Sequence, residues 1–402
     1  MITLNFMLQR YSKARKMQNN KAKFTYCCDI FVSLHCLSSL ISMRIAYVIE
    51  QLSEVGGMER ILVDKMNWLC NQFQTEVVLI LLWREKQPIV FDLDERIRVI
   101  RLNVPRVKGG ILFPLVLLLY NREVKRVNPD ITVMSWVAGA LLATFGIKRG
   151  KTIYESHSDS RVVRHHWLQK ALQYRVDSVV TLTYEDAACF TSARNVVVIP
   201  NFTSLQPSVE IDYTKKNCVA MGRLAAEKDY PRMITLWARI VQTHPDWVLN
   251  IYGDGSERRK LKQLINCFHL ERKVIIHGCT RNVTEAYASG SIFLMTSRSE
   301  GFALVLVEAA TCGLPVVVFD CPYGPRNVMN DKNGFLIPYE DDDAYVTAVQ
   351  QLMDDIALRK KIGKESQKDI VRFSQENVMK RWIHLFSCII CEDAYERQGE
   401  RL

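Results

Sequence analysis

The sequence predicts an α/β protein of two Rossmann-like, doubly wound domains facing each other across a cleft. Three observations point there. The chain has 402 residues, too long for one ordinary core and suited to two of middling size. From Met43 onward, short apolar runs alternate with amphipathic stretches, as parallel βαβ units require. The series closes at Val197–Asn201, crosses a polar stretch at Thr203–Asn217, and begins again. A composition of 48% hydrophobic and 24% charged residues is that of a folded, globular chain.

Residues 1–42 stand apart. They hold six Lys or Arg against one Asp and show no periodicity before the run Phe24–Ile41, which Asp29 and His35 interrupt. That run is too short and polar for a spanning helix. The segment is expected to be an atypical basic extension or the product of an upstream start, with Met43 as the functional beginning. Residues 43–205 form the first domain. Its strands are expected at Ile45–Ile49, Glu76–Leu82, Ile97–Leu102, Ile131–Trp136 and Ser178–Leu182, with a helix at Met58–Gln72. Residues 206–372 form the second domain. Strands are expected there at Cys218–Met221, Val248–Tyr252, Val274–His277, Ile292–Met295 and Pro315–Phe319, and helices at Ser256–Phe268, Asp341–Met353 and Ile356–Arg372. Residues 373–402 read as a C-terminal helix returning toward the first domain. Two such domains in series place a ligand between them, at the carboxyl ends of the strands.

The net charge of +10 is uneven: residues 43–205 carry 21 basic against 16 acidic residues, and 206–402 carry 26 of each. A basic front half suggests an anionic surface as partner. Arg101, Arg106 and Lys108 precede the apolar run Ile111–Tyr120, and Arg122, Lys125 and Arg126 follow it. That pattern suits peripheral contact with anionic lipid. No nucleic-acid partner is expected. Twelve scattered cysteines and no small-residue cleavage site fit reduced thiols in the cytoplasm, at or near the inner membrane face. Cys388 and Cys391 form a CxxC in an apolar stretch that reads as packing. Asp92-Leu93-Asp94 resembles a metal-binding motif only superficially, and Asp341–Asp343 reads as a helix start. No divalent metal or other cofactor is expected to be required.

Two stretches carry chemistry. Gly222-Arg223-Leu224-Ala225-Ala226-Glu227-Lys228 follows a strand and precedes an amphipathic helix, so two cations can stand beside a diphosphate. The segment Ser299–Pro315 reads as a turn at Gly301 and then a short apolar helix, closed by Gly313 and Pro315. The amino end of such a helix suits phosphate or sugar hydroxyls. Glu308 is the polar member of that helix, costly to bury unless it meets hydroxyls or a cation; the alternative is a solvent-facing position. Glu300 and Glu308 would lie roughly 10–12 Å apart along a helix. A retaining hydrolase needs its carboxyls about 5–5.5 Å apart, so these two read as anchors for one long ligand instead.

From Met43 to about Phe386 the chain resembles family 4 of the retaining glycosyltransferases, enzymes of the two-domain GT-B fold. The Glu–seven residues–Glu pattern matches Glu300 and Glu308 within Ser-Glu-Gly-Phe…Glu-Ala…Cys-Gly-Leu-Pro-Val. The Gly-Arg-Leu…Lys motif matches Gly222 to Lys228, and Tyr252-Gly253-Asp254-Gly255, Val274–Gly278 and Phe319-Asp320…Gly324-Pro325 follow in the family's order. The resemblance implies that Arg223 and Lys228 neutralise the diphosphate leaving group and that Glu308 binds the ribose. Glu300, with the backbone of Gly301, Phe302, Ala303 and Leu304, would hold the donor sugar. Arg281, Asn282 and Val283 would lie against the base. In the first domain, Gly56 and Gly57 would form the glycine loop, and His157 would bond sugar or acceptor. His165 and His166, beside Arg161 and Arg164, suit an acceptor or membrane surface rather than a metal.

The implied reaction moves a hexose or N-acetylhexosamine from a nucleoside-diphosphate sugar, UDP by default, to a glycan or lipid-linked glycan acceptor with retention. The setting would be cell-surface polysaccharide biosynthesis. A nucleotide-sugar epimerase, a glycan phosphorylase, or a noncatalytic nucleotide-sugar-binding subunit of the same fold are the alternatives. A nicotinamide dehydrogenase lacks support, because no GxGxxG follows the first strand.

Overall fold

The computed structural model describes residues 43–399, except 53–55, 74, 86–88, 108–109, 158–159, 161–165, 208 and 331. The extension 1–42, Lys108, Arg161, Arg164 and His165 lie outside the described residues.

The first domain is a parallel sheet of β1 (Arg44–Ile49), β2 (Glu76–Trp83), β3 (Arg98–Val104), β4 (Ile131–Ser135), β5 (Lys151–Glu155), β6 (Ser178–Thr181) and β7 (Val196–Val198), in the order 3-2-1-4-5-6-7. Its helices are α1 (Gly57–Phe73), α2 (Phe113–Val127), α3 (Trp136–Phe145), α4 (His166–Gln173) and the short α5 (Tyr184–Ala187). The central strands are buried on both faces, which is why β1 and β2 read as continuous apolar runs. Leu62, Met66 and Leu69 of α1 cover one face. Val116 and Tyr120 of α2, Leu142 of α3 and Leu168 of α4 cover the other.

The second domain repeats the plan. Its parallel strands are β8 (Asn217–Met221), β9 (Val248–Tyr252), β10 (Val274–Gly278), β11 (Ile292–Met295), β12 (Val316–Asp320) and β13 (Gly334–Pro338), in the order 10-9-8-11-12-13. Helices α6 (Tyr230–Ile240), α7 (Arg258–Cys267), α8 (Val283–Ala288), α9 (Leu304–Thr311), α10 (Pro325–Val328), α11 (Asp342–Asp354) and α12 (Ile356–Asp369) surround it. The last helix, α13 (Gln375–Gly399), places Val378, Trp382 and Phe386 in the first domain's core beside α1.

Two elements differ from expectation. The strand expected to include Trp136 stops at Ser135, because Trp136 takes φ 61° and starts α3. A left-handed residue breaks the pleat. Strand β13 carried no clear signal in the sequence: as an edge strand it is mostly half-buried and lacks a continuous apolar run.

In both sheets the strand order reverses beside the first strand, between β1 and β4 and between β8 and β11. Loops leaving those paired strands diverge to opposite sides and leave a crevice at their carboxyl ends. The glycine loop follows β1, the Gly222–Lys228 loop follows β8, and the Ser297–Ala303 loop follows β11.

Candidate active site

Two loops meet at the second domain's switch point. Gly222, at φ 148°, turns the chain out of β8, and its amide donates to the Tyr252 carbonyl at 3.0 Å. A methyl at neighbouring Gly253 would stand 1.9 Å from the Gly222 carbonyl oxygen, so the two turns pack backbone on backbone. The loop ends in a single 3₁₀ turn, Ala226–Lys228. From there the Lys228 ammonium donates to both oxygens of Glu300, at 2.7 and 2.9 Å. Ser297 also donates to Glu300, at 2.6 Å. Next to this cluster Arg298 grips Asp229 at 2.9 and 3.1 Å, fastening the loops together a second time. Glu300 further bridges in parallel to Tyr323, and a methyl at Gly324 would come within 2.6 Å of its Cβ.

The expected pair of cations is therefore split. Lys228 is largely buried against Glu300. Arg223 is 73% exposed and bonds Glu227 at 2.8 Å, four residues on. Free of a rigid seat, the Arg223 side chain is able to swing toward the crevice, whereas Lys228 is already positioned.

Gly301–Leu304 leads into α9. Phe302 and Ala303 are buried, and Ala303 holds φ 60° at the helix start, where no side chain caps the turn. Leu304 packs against the first domain's core, and a methyl at Gly57 would meet its side chain at 3.5 Å. The glycine loop and the start of α9 thus face each other across the cleft. At Gly56 the Glu59 carboxylate folds back so closely that a methyl would be 2.2 Å from it.

Glu308 is buried, not solvent-facing, with the residue 8% exposed. Tyr287 of α8 donates to it at 2.8 Å, and Arg60 of α1 reaches it from the other domain at 3.6 Å. Burial pushes the Glu308 carboxyl above the usual carboxylate range, and Arg60 and Tyr287 oppose that rise. Arg281 and Asn282 are exposed and Val283 is half-buried, at the start of the same α8 that carries Tyr287. The loop expected at the base thus leads into the helix whose Tyr287 holds the glutamate expected at the ribose.

His157 follows β5, as expected, but its side chain is only 2% exposed and points to Glu155 at 3.5 Å. Glu155 is itself paired with Lys65 of α1 at 2.5 Å, both side chains 1% exposed. Burial opposes ionisation of Glu155, but Lys65 and His157 outweigh it and hold the carboxyl at about 2. Neither ring nitrogen of His157 finds a hydrogen-bond partner among the described residues. His166 opens α4 on the exposed surface. Cys388 and Cys391 are exposed on α13, on the surface side of the expected core or surface packing.

Arg60, Tyr287, Lys65 and Glu155 were not singled out as site residues by sequence. Arg60 had a local signal, four residues past Gly56 on the helix that the glycine loop opens. Tyr287 had none, since its role depends on how α8 packs against α9. Asp94 bonds Arg96 and the Asn67 side chain away from the cleft. Among the described residues no group of three or more His, Cys, Asp or Glu gathers as a metal site, and no helix is long and apolar enough to cross a membrane. A cavity of about 850 Å³ lies apart from these residues. It lies at the connection between domains, lined by Trp68, Phe73, Ser204, Pro207, Ile370 and Gln375 among others.

Residues 201–369 match the family model of glycosyl transferases group 1, and the two-domain architecture is that of GT-B glycosyltransferases. The amylovoran biosynthesis glycosyltransferase AmsD of Erwinia amylovora is 32% identical over 216 residues, covering 51% of this chain and 61% of that relative, less than two thirds of its length. An uncharacterized glycosyltransferase of Haemophilus influenzae is 27% identical over 84% of this chain and 98% of its own. Among solved structures, Anabaena HepE in complex with UDP and glucose is similar in fold, with a TM-score of 0.69 at 19% identity, over 86% of this chain and 100% of that one.

Proposed function

We propose that this protein is a retaining, family 4 glycosyltransferase. It transfers a hexose or N-acetylhexosamine from a nucleoside-diphosphate sugar, UDP by default, to a glycan or lipid-linked glycan acceptor in cell-surface polysaccharide biosynthesis. The observation that carries this is the joining of Lys228 and Glu300 at the second switch point, with Glu308 buried further along the same segment. The cation can meet a diphosphate there, and the two carboxylates would take the sugar and ribose ends of one donor. Donor and pathway class are supported by a relative that serves amylovoran biosynthesis and by a neighbour in fold that holds UDP and glucose.

In the step itself, the bond between the anomeric carbon and the phosphate oxygen breaks and a bond to the acceptor hydroxyl oxygen forms on the same face. The acceptor proton passes to the departing phosphate. Lys228 and Arg223 stabilise the charge that gathers there, and positioning supplies the rest without a metal. Glu300 orients the sugar once the diphosphate draws Lys228 from it. The protein acts in the cytoplasm. The outer face of α2, with Leu115 and Leu118 exposed and Arg122, Lys125 and Arg126 beside them, rests on anionic lipid.

A panel of nucleotide sugars screened for thermal stabilisation identifies the donor, since a ligand at about 100 times its Kd adds about 2.7 kcal/mol. Product analysis with that donor follows. Transfer by the purified chain alone excludes a noncatalytic subunit, and a requirement for an acceptor excludes an epimerase. Turnover unchanged in Arg223→Ala would remove that residue from the phosphate clamp.

A further inference from the structure

We infer that Arg60 is a positioning residue for the donor: seated against Glu308 across the cleft, it makes nucleotide binding in the second domain depend on the first. This rests on the donor site proposed above and adds to it a residue from the opposite domain. Arg60 does not approach Glu308 by chance of a free side chain. Its guanidinium stands 3.9 Å from Asp64 and 3.5 Å from the Ser204 hydroxyl, and Ser204 donates to Asp64 at 2.7 Å. Ser204 belongs to the stretch that connects the domains, so helix α1, the connection and Glu308 are tied in one network.

The physical need for such a cation is clear from what surrounds Glu308. Arg60 faces it from α1, Tyr287 from α8, and Cys312 from its own helix. Of these, only Arg60 is positive. A ribose diol donates two hydrogen bonds and needs a group that only accepts, which a carboxylate is and a carboxylic acid is not. Burial favours the neutral acid at this position, and Arg60 is first among the groups that oppose it. Remove the guanidinium and Glu308 takes up a proton more readily, so a diol meets a competing O–H. Separation of the domains would remove it equally well, which couples donor retention to a closed cleft.

The test compares wild type with Arg60→Met, Arg60→Lys, Glu308→Gln and the Arg60→Met/Glu308→Gln double variant. UDP and GDP affinities are measured by calorimetry on the full chain at about pH 8 and about pH 6. Binding that requires an ionised carboxyl falls by about tenfold per pH unit below its pKa. Arg60→Met is therefore expected to lose more affinity at the lower pH than wild type does, by about tenfold, and Arg60→Lys to regain most of it. Affinities of Arg60→Met that track wild type at both pH values overturn the inference. A ligand-free measurement separates this from failure of the donor assignment. The gap in thermal midpoint between wild type and Arg60→Met should be wider at the higher pH, where Glu308 is charged, and should narrow in the Glu308→Gln background to what the Asp64 and Ser204 contacts of Arg60 contribute. A gap independent of pH overturns the charge coupling. Wild type that binds neither nucleotide overturns the donor site, and with it the role of Arg60 in holding a donor, whatever the ligand-free gap shows.

Discussion

Replacing Lys65 by Met probes the buried ion pair beneath His157. Lys65 and Glu155 meet at 2.5 Å with side chains 1% exposed, and the ammonium lies 4.2 Å from the centre of the Trp382 ring on α13. Water reaches neither charge, so each depends on the other. Removing one partner of such a pair costs about 3–5 kcal/mol, because the remaining charge is left in a medium of low polarity. The pH dependence carries a sign that tests the cause. In wild type the folded pKa of Glu155, about 2, lies below its ordinary value of 4.5. Its contribution is present above 4.5 and is lost as pH falls toward about 2. In Lys65→Met the carboxyl is buried with no ammonium beside it and its pKa rises. Stability is then retained below the unfolded value and lost as pH rises from there through the raised folded pKa. Urea unfolding followed by tryptophan fluorescence at about pH 5 and about pH 8 reads this directly. The variant is expected to lose about 3–5 kcal/mol at the higher pH and less at the lower. Lys65→Met/Glu155→Gln removes both charges and should return to within about 1–2 kcal/mol of wild type. Equal losses at the two pH values, or a double variant no better than the single, would refute the electrostatic account.

Two further outcomes follow from the geometry. Gly253→Ala forces a methyl onto the Gly222 carbonyl at a backbone φ of 147°, so it should lower stability by more than about 1 kcal/mol and weaken nucleotide binding, seen as a loss of thermal stabilisation by UDP. Purified protein should sediment with anionic vesicles at low salt and release as salt rises past roughly 0.15 M, with Arg122→Ala/Arg126→Ala binding less; equal binding to neutral vesicles would remove the charge from the explanation.

The fold was largely legible because parallel strands buried on both faces leave unbroken apolar runs, as β1, β2 and β11 do. Edge strand β13 lacked that run, and the end of β4 at Ser135 turned on the single left-handed residue Trp136. Lys228, Glu300 and Glu308 were readable for a related reason. They lie in loops and one short helix whose glycines and spacing are local properties of the chain.

What the sequence by itself determined is thus the pair of Rossmann-like domains and the residues of the second switch point. Tertiary structure alone decided how the distant charges are shared: Lys228 with Glu300, Arg60 with Glu308, and Lys65 with Glu155. The physical reason is sequence distance. Lys228 and Glu300 are 72 residues apart and Lys65 and Glu155 are 90 apart, so no period or motif links them. Such pairs form only when strand order brings the ends of distant loops into one crevice, and burial then sets which charge answers which.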